Sequence, residues 1–330
     1  MSEDLLRDGF QRSVEYLRLS VTDRCSLRCD YCMPAGMKFT PNCDMLKFSD
    51  FLFLVDIFAS LGIRKVRVTG GEPLIRRGIL RFLRQLKEIP GIERTVITTN
   101  GLKLYKMAPH LKSAGVAGLN VSLDSLDREK YKKITGADQI SKVISGIDSA
   151  IEAGFGPVKV NVVAMKGVND DEFLKFAELT RDKNIQVRFI EFMPATPSLW
   201  SNERFIAVPE IKAHVEKLGP LVSADKEKWG GPAEIYKLEG AVGQIGFISA
   251  VSRHFCESCN RLRLTSTGQL MTCLFGKGDL DLRKMINGGA NKKTIKQAIR
   301  ETVFDKNGVR VLPTAAGPGE EKRSMSCVGG

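Results

Sequence analysis

Three cysteines spaced within eight residues constrain this chain more than any other feature of its sequence. Cys25, Cys29 and Cys32 follow the apolar run at residues 17–21. Thiolates are soft ligands suited to iron–sulfur clusters or zinc, and a closed structural zinc site needs four ligands. Three thiols on one loop can hold three irons of a four-iron cube and leave the fourth iron open for chemistry. A zinc site completed by Cys43 and a group of metal-free buried thiols are the alternatives.

Composition limits the class of protein and its partners. The 330 residues are 43% hydrophobic and 27% charged, which is typical of a soluble globular protein. A formal net charge of +12 favours an anionic partner, whether nucleic acid, an acidic membrane surface or a phosphate-rich small molecule. Six of the eight cysteines fall in two tight groups, which indicates metal binding in a reducing compartment rather than a disulfide framework.

Neither a targeting signal nor a membrane-spanning segment is evident in the sequence. The acidic start at residues 1–4 lacks the basic region of a secretory signal. The longest apolar run, at residues 51–59, contains Asp56 and is too short to cross a bilayer. We therefore expect a cytoplasmic protein without a membrane partner.

Six predicted strands alternate with helical segments in the first part of the chain. The strands fall at residues 17–21, 64–69, 95–99, 119–123, 158–163 and 186–190. Such alternation predicts parallel pairing with right-handed crossovers. Six units are fewer than the eight that close a barrel. We therefore expect an α/β fold, an incomplete (β/α)6 TIM-like barrel whose open side is covered by another part of the chain.

Polar residues cluster where these strands end. They are the cysteine loop and residues 70–73, 98–100, 122–124 and 191–193. The carboxyl ends of parallel strands are where α/β folds build their sites. The sequence therefore predicts one functional site at this edge of the sheet.

A second cysteine group follows a change of pattern near residue 194. A Cys-x2-Cys pair at residues 256–259 is followed by Cys273 on the far arm of a predicted hairpin, so that three thiols again come together. A zinc site completed by His254 is the alternative. Arg261 and Arg263 alternate along a strand and share a face, where paired guanidiniums suit a phosphate or a purine edge.

These patterns predict three regions. We expect a partial barrel over residues 1–193 and a smaller C-terminal α+β region over residues 194–315 that carries the second cysteine group. A Gly- and Ser-rich tail then runs over residues 316–330 and ends in Gly-Gly. Two three-thiol groups in one chain favour a pair of iron–sulfur clusters.

Two motifs together resemble one known family. Residues 69–73, Thr-Gly-Gly-Glu-Pro, are similar to a loop of the radical S-adenosylmethionine (SAM) enzymes. The segment Cys-x2-Cys-Asn-Arg-Leu-Arg-Leu at residues 256–264 narrows the resemblance to the GTP 3′,8-cyclases, which open molybdenum-cofactor biosynthesis. The similarity extends from about residue 17 to the terminal glycines.

The resemblance implies roles for individual residues. Two [4Fe-4S] clusters would be held by Cys25, Cys29 and Cys32 and by Cys256, Cys259 and Cys273. The implied SAM pocket includes Tyr31, Gly70, Gly71, Glu72, Ser122 and Met193. The implied GTP contacts are Arg18, Arg67, Thr98, Lys159, Arg261, Leu262, Arg263, Gly329 and Gly330.

The resemblance also implies an activity, the radical cyclisation of GTP to (8S)-3′,8-cyclo-7,8-dihydroguanosine 5′-triphosphate. A 5′-deoxyadenosyl radical made from SAM would take hydrogen from C3′ of the ribose, and the carbon radical would attack C8 of the guanine. Arg18, Arg261 and Arg263 would be the catalytic residues that orient the nucleotide and stabilise the aminyl-type intermediate. The implied partners are an electron donor and the next pathway enzyme, cyclic pyranopterin monophosphate synthase, and a homodimer is compatible with this reaction.

Two other classes of protein fit parts of the sequence. A peptide-modifying radical SAM maturase with an auxiliary cluster shares the general radical SAM motifs. Such enzymes, however, usually carry more than three cysteines in the C-terminal region, and they lack the Asn-Arg-x-Arg segment. A basic zinc protein that binds nucleic acid fits the charge, but it needs aromatic stacking platforms, and aromatic residues make up only 7% of this chain. We therefore expect no nucleic-acid partner.

We predict about eight irons per chain, with matching sulfide, after purification and reconstitution without oxygen. Each three-thiol motif would account for one four-iron cluster. Anaerobic iron, sulfide and zinc analysis measures this content. Zinc without sulfide would support the nucleic-acid-binding alternative instead.

Overall fold

A computed structural model describes residues 5–34, 36–225, 227–276, 278–306, 308 and 325–329. The strands in these ranges are β1 (Tyr16–Ser20), β2 (Lys65–Thr69), β3 (Arg94–Thr99), β4 (Gly118–Ser122), β5 (Val158–Ala164), β6 (Ile185–Glu191), β7 (Leu221–Ser223), β8 (Glu234–Leu238), β9 (Gln244–Ile248), β10 (Arg261–Leu264), β11 (Gln269–Met271) and β12 (Leu280–Asp281). The helices are α1 (Phe48–Ser60), α2 (Ile79–Lys87), α3 (Leu104–Ser113), α4 (Arg128–Thr135), α5 (Ile140–Glu152), α6 (Phe173–Asp182), α7 (Val208–Val215), α8 (Leu282–Asn287), α9 (Lys292–Phe304) and α10 (Met325–Val328). Within the described ranges, no helix combines the length and the apolar character needed to cross a membrane.

The described strands form one sheet, in the order β12-β11-β10-β1-β2-β3-β4-β5-β6-β9-β8-β7. Strands β1 to β6 pair in parallel in chain order, which confirms the predicted partial barrel. The parallel set continues beyond it, because β10 pairs in parallel with β1 and β9 with β6. The C-terminal region therefore extends both edges of the barrel sheet, and the boundary at residue 193 stays a prediction.

The hydrophobic core lies between the outer face of the sheet and the surrounding helices. Leu17 and Leu19 of β1 are fully buried in the same cluster as Phe51 and Phe58 of α1. Successive strand residues point to opposite faces of a sheet. Arg18, which lies between the two leucines, consequently points to the inside of the barrel.

The inner face of the sheet is polar and basic. The strand register places Arg18 of β1 beside Arg67 of β2 on one side and beside Arg263 of β10 on the other. Arg67 and Arg263 are buried, with 9% and 7% of their surface exposed. Three guanidiniums from neighbouring strands therefore occupy one level of the barrel interior.

Glu191, at the end of β6, connects the barrel to two later segments. Its buried carboxylate accepts hydrogen bonds from the backbone N–H groups of Val208 (2.9 Å), Val251 (2.7 Å) and Ser252 (2.8 Å). Val208 begins α7, and residues 251–252 lead towards the second cysteine group. This carboxylate thus positions the loop that carries that group against the barrel.

We predict that Glu191→Ala lowers the free energy of unfolding by roughly 3 kcal/mol, because it leaves one buried and two partly buried backbone donors without their acceptor. Chemical denaturation followed by circular dichroism measures the change. Glu239→Ala, at an exposed glutamate, is the matched control and should leave the midpoint unchanged. Equal midpoints for both variants would contradict the role of Glu191.

Candidate active site

A cavity of about 350 Å³ lies at the carboxyl ends of the parallel strands and extends down into the barrel. Its lining includes all the cysteines of the two motifs, Cys25, Cys29, Cys32, Cys256, Cys259 and Cys273. The two groups lie 224 residues or more apart in the sequence, and the sheet order brings them together by pairing β10 with β1. Both three-thiol groups therefore face one chamber, at the edge of the sheet that the sequence predicts.

The thiols are available as ligands. All eight cysteines lie among the described residues, and none of them forms a disulfide. Cys43 is exposed and is not part of the cavity lining, so it does not complete a zinc site with the first group. In the described part of the chain, no three His, Cys, Asp or Glu side chains are arranged to hold a single metal ion.

N–H groups point at cysteine sulfurs in both groups. The backbone N–H of Leu27 lies 3.4 Å from Cys25 Sγ, and Asn100 Nδ2 lies 3.7 Å from the same sulfur. Lys306 Nζ lies 3.8 Å from Cys259 Sγ. Hydrogen bonds to the sulfurs are a normal feature of iron–sulfur sites, so this donor set fits such clusters.

The two thiol groups differ in their electrostatic surroundings. Burial raises the pKa of Cys29, and burial together with the nearby Cys25 and Asp124 raises the pKa of Cys32 to about 12. Burial also acts to raise the pKa of Cys259, but the charges of Arg261 and Lys306 outweigh it and bring this pKa down to about 7. The first group thus lies in apolar and acidic surroundings, and the second lies among cations.

Gly70 and Gly71 let the loop after β2 pack directly against the segment that leads into the first cysteine group. A Cβ at Gly70 would lie 2.3 Å from the carbonyl oxygen of Thr22, and one at Gly71 would lie 2.2 Å from that of Arg24. The N–H of Gly71 donates to Thr22 O at 2.6 Å. Both glycines line the cavity, and a larger residue at either position would displace the cysteine segment.

Glu72 has a different position from the one expected. It is fully buried and does not belong to the cavity lining. Its carboxylate accepts hydrogen bonds from Leu74 N (2.9 Å), Thr99 Oγ1 (2.9 Å) and Asn100 N (2.7 Å). Glu72 therefore joins the glycine loop to the end of β3, and it contributes to the site through the residues that it holds.

Tyr31, Ser122 and Met193 all line the cavity beside the first cysteine group. The Tyr31 hydroxyl donates to Asp124 Oδ2 at 2.6 Å, and the N–H of Val163 donates to Asp124 Oδ1 at 2.8 Å. Burial raises the pKa of Asp124 to about 6, although both hydrogen bonds act to lower it. Asp124 therefore fixes the ring of Tyr31 at the cavity wall.

The expected arginines lie lower in the same cavity. Arg18, Arg67, Arg261 and Arg263 line it, and Arg67 donates to Thr98 Oγ1 at 3.0 Å. Leu262 does not join them, since its side chain is fully buried in the hydrophobic core on the outer face of the sheet.

Tyr16 was not predicted as a site residue, yet it lies among these cations. Its hydroxyl accepts a hydrogen bond from Arg67 Nε. Burial acts to raise the pKa of Tyr16, but the charges of Arg67, Arg18, Lys65 and Arg261 outweigh it and bring the pKa to about 7. The phenol is therefore an internal partner for the positive charge of the chamber.

Lys159 lies outside the main cavity, in a smaller adjoining one. Arg188 lines both cavities and connects them. Lys159 Nζ lies 3.0 Å from the carboxylate of Glu227, which also lies 3.4 Å from Arg94. Sequence reasoning missed Arg188, although the alternation of apolar and polar residues over 185–189 would have placed it on the inner face.

The C-terminal segment packs against the cavity. Arg263 Nη1 donates to the carbonyl oxygens of Val328 (3.1 Å) and Gly329. Gly329 has a φ of +75°, and a Cβ there would lie 2.6 Å from Thr69 Cγ2, so the position requires glycine. Ser326 lines the cavity, whereas the predicted contact of Gly330 lies outside the described residues.

Comparisons with known proteins define the class. A model of the radical SAM superfamily matches residues 19–180, and a model described as Molybdenum Cofactor Synthesis C matches residues 185–309. The structure of Streptococcus suis SuiB bound to S-adenosylmethionine has a TM-score of 0.59 at 15% identity, over 88% of this chain and 68% of that one, and it is similar in fold. The chain is a radical SAM enzyme.

Sequence relatives define the family within this class. The GTP 3′,8-cyclase of Thermodesulfovibrio yellowstonii is 46% identical over 301 residues, which cover 90% of this chain and 93% of that protein. The mitochondrial GTP 3′,8-cyclase of Arabidopsis thaliana is 41% identical over 91% of this chain and 77% of that protein. The chain belongs to the GTP 3′,8-cyclase family.

We predict that the metal-free chain loses stability as the pH rises, in part through Glu72. Burial raises the pKa of Glu72 from 4.5 to about 7, against the effect of its hydrogen bonds. Its stabilising contribution is therefore complete below pH 4.5 and is lost as the pH rises through 7, by roughly 3 kcal/mol. Denaturant unfolding between pH 4.5 and 8 should show a smaller decline for Glu72→Gln than for the wild type. Glu88→Gln, at an exposed position, should retain the wild-type decline, and equal declines for all three proteins would contradict the prediction.

We also predict that Glu227→Gln strengthens the binding of inorganic triphosphate, because it removes a carboxylate that competes for Lys159 and Arg94. A partly exposed ion pair corresponds to a change of about two- to five-fold. Calorimetry at pH 6.5 measures the affinity while Lys159, whose pKa burial and the charge of Arg188 lower to about 8, is still protonated. Glu239→Gln is the exposed control, and weaker binding by the Glu227 variant would refute the prediction.

Proposed function

We propose that the two three-thiol groups hold two [4Fe-4S] clusters in one chamber, and that this chamber carries out the family's reaction. The chain is a radical SAM enzyme with GTP 3′,8-cyclase activity, which is the first step of molybdenum-cofactor biosynthesis. One observation carries the proposal: all six motif cysteines line a single cavity above a ring of buried cations. When bound, an iron–sulfur cluster and SAM supply the electron transfer and the radical that start the reaction.

The upper part of the chamber is assigned to SAM. Cys25, Cys29 and Cys32 would hold the first cluster and leave one iron open for this cofactor. Tyr31, Gly70, Gly71, Ser122 and Met193 line the same part of the cavity. Glu72 acts indirectly, since it fixes the glycine loop to β3.

The lower part of the chamber is assigned to GTP. A triphosphate that leaves water needs fixed cations, because an uncompensated buried charge is strongly unfavourable. Arg67 and Arg188 are buried at this level, and Thr98 adds a hydroxyl group beside Arg67. Lys159 is half-buried in the smaller adjoining cavity, which Arg188 also lines. Lys65, which sequence reasoning missed, does not line the cavity, but its ammonium lies 4.4 Å from the centre of the ring of Tyr16, which does.

The guanine base of GTP is assigned to the part of the chamber beside the second thiol group. Arg261 begins β10 two residues after Cys259, and the register places Arg263 of the same strand beside Arg18. These three guanidiniums would orient the nucleotide between the two clusters and stabilise negative charge that develops on it. Gly329 is held by Arg263 and would lie close to the nucleotide.

The remaining assignments concern partners and location. The electrons for the reaction would come from a separate electron donor. The cyclised nucleotide would pass to cyclic pyranopterin monophosphate synthase. A cytoplasmic location and a homodimer stay predictions, as do the absence of a nucleic-acid partner and of a membrane partner.

Anaerobic incubation with GTP, SAM and a strong reductant tests the proposal. The wild type should release 5′-deoxyadenosine and a cyclised nucleotide. Cys25→Ala should release neither, because it removes a ligand of the first cluster, and Cys256→Ala should lose the cyclised product. Cys43→Ala, at an exposed cysteine outside the cavity, is the matched control and should retain both products. Cyclisation at the wild-type rate by Cys256→Ala would contradict the role of the second cluster.

A further inference from the structure

Lys306 is a buried lysine whose ammonium lies against the second cysteine group. The residue follows α9 and has 4% of its surface exposed. Its Nζ lies 3.8 Å from Cys259 Sγ, 3.2 Å from the carbonyl oxygen of Arg261 and 2.5 Å from that of Thr272. None of these contacts is assigned a role by the motifs of the sequence.

We infer that Lys306 is a positioning residue that fixes and electrostatically tunes the second iron–sulfur cluster. The inference rests on the proposed assignment of Cys256, Cys259 and Cys273 to that cluster. It extends the assignment to a residue outside the cysteine motif.

The hydrogen-bonding geometry supports a positioning role. A lysine ammonium has three N–H donors, and Lys306 has three acceptors, one for each. The acceptors come from both sides of the hairpin, since Cys259 and Arg261 precede its turn and Thr272 follows it. Thr272 is adjacent to Cys273, so one ammonium group joins the two chain segments that carry the cluster ligands.

The charge of Lys306 supports a tuning role. A buried cation is normally paired with an anion. Within the described ranges, none of the ion pairs involves Lys306. The sulfur of Cys259 is the acceptor that would be an anion in a cluster, where the thiolate form is the ligand.

The expected effect is on the reduction potential. A cation and an N–H donor next to a cluster sulfur stabilise the reduced, more negative state, and this raises the potential. At Cys25 of the first group, by contrast, the two groups that donate hydrogen bonds to the sulfur, Leu27 N–H and Asn100 Nδ2, are both neutral. Lys306 therefore makes the second cluster easier to reduce than its thiolates alone would.

The test isolates the second cluster. Replacing Cys25, Cys29 and Cys32 by alanine in the full-length chain removes the first cluster. Lys306→Gln, Lys306→Met and Lys306→Arg are then made in this background, with Lys293→Met on the exposed face of α9 as the matched control. Iron and sulfide content is measured for each protein, and electron paramagnetic resonance follows an anaerobic redox titration.

We expect Lys306→Gln and Lys306→Met to shift the potential to more negative values, because both remove the charge. Lys306→Arg and Lys293→Met should keep the potential close to that of the background protein. Loss of the cluster in the Gln and Met variants, with retention in the Arg variant, would equally support the inference. An unchanged potential in Gln and Met, or a loss of the cluster in all three Lys306 variants, would overturn it.

The two proposals fail in different ways. If the background protein itself binds no iron and sulfide, the assignment of the second cluster is wrong, and the inference about Lys306 falls with it. If the background protein holds a cluster and its reduction potential is the same with Lys306→Gln and Lys306→Met, the assignment of the cluster stands. In that case only the inference about Lys306 is wrong.

Discussion

Buried positive charge inside a parallel sheet is the constraint on which the rest of this structure depends. Arg18, Arg67 and Arg263 lie side by side through the register of three strands. Burial lowers the pKa of Arg18, and the charges of Arg263, Arg67 and Arg261 lower it further, because each of these effects disfavours the charged form of the guanidinium. Such a group is stable only if anions compensate it.

Two internal groups supply part of this compensation. Tyr16 accepts a hydrogen bond from Arg67 and has its pKa reduced to about 7 by the surrounding cations, against the effect of burial. Glu227 enters from the loop between β7 and β8 and pairs with Lys159 and Arg94. The negative charge of a bound nucleoside triphosphate would neutralise the remaining positive charge. The basic interior of the barrel is therefore consistent with the proposed substrate.

Buried carboxylates maintain the shape of the chamber without entering it. Glu72 holds the glycine loop to β3, and Glu191 holds the loop that leads to the second cysteine group. Lys306 has a similar structural role beside the second cysteine group, where its ammonium joins both arms of the β10–β11 hairpin. Each of these groups connects segments that are distant in sequence, and backbone groups are among the hydrogen-bond partners of each.

The sequence by itself determined the features that depend on local spacing. The two cysteine groups, the glycine loop and the six alternating strands all follow from residue types at short, fixed separations, and the family resemblance uses the same motifs. Tertiary structure alone decided which distant residues meet. The pairing of β10 with β1, the contact of Glu227 with Lys159 and the position of Lys306 beside Cys259 depend on sheet order and register. Separation along a chain carries no information about these distances, because any of several strand orders satisfies the same local periodicity.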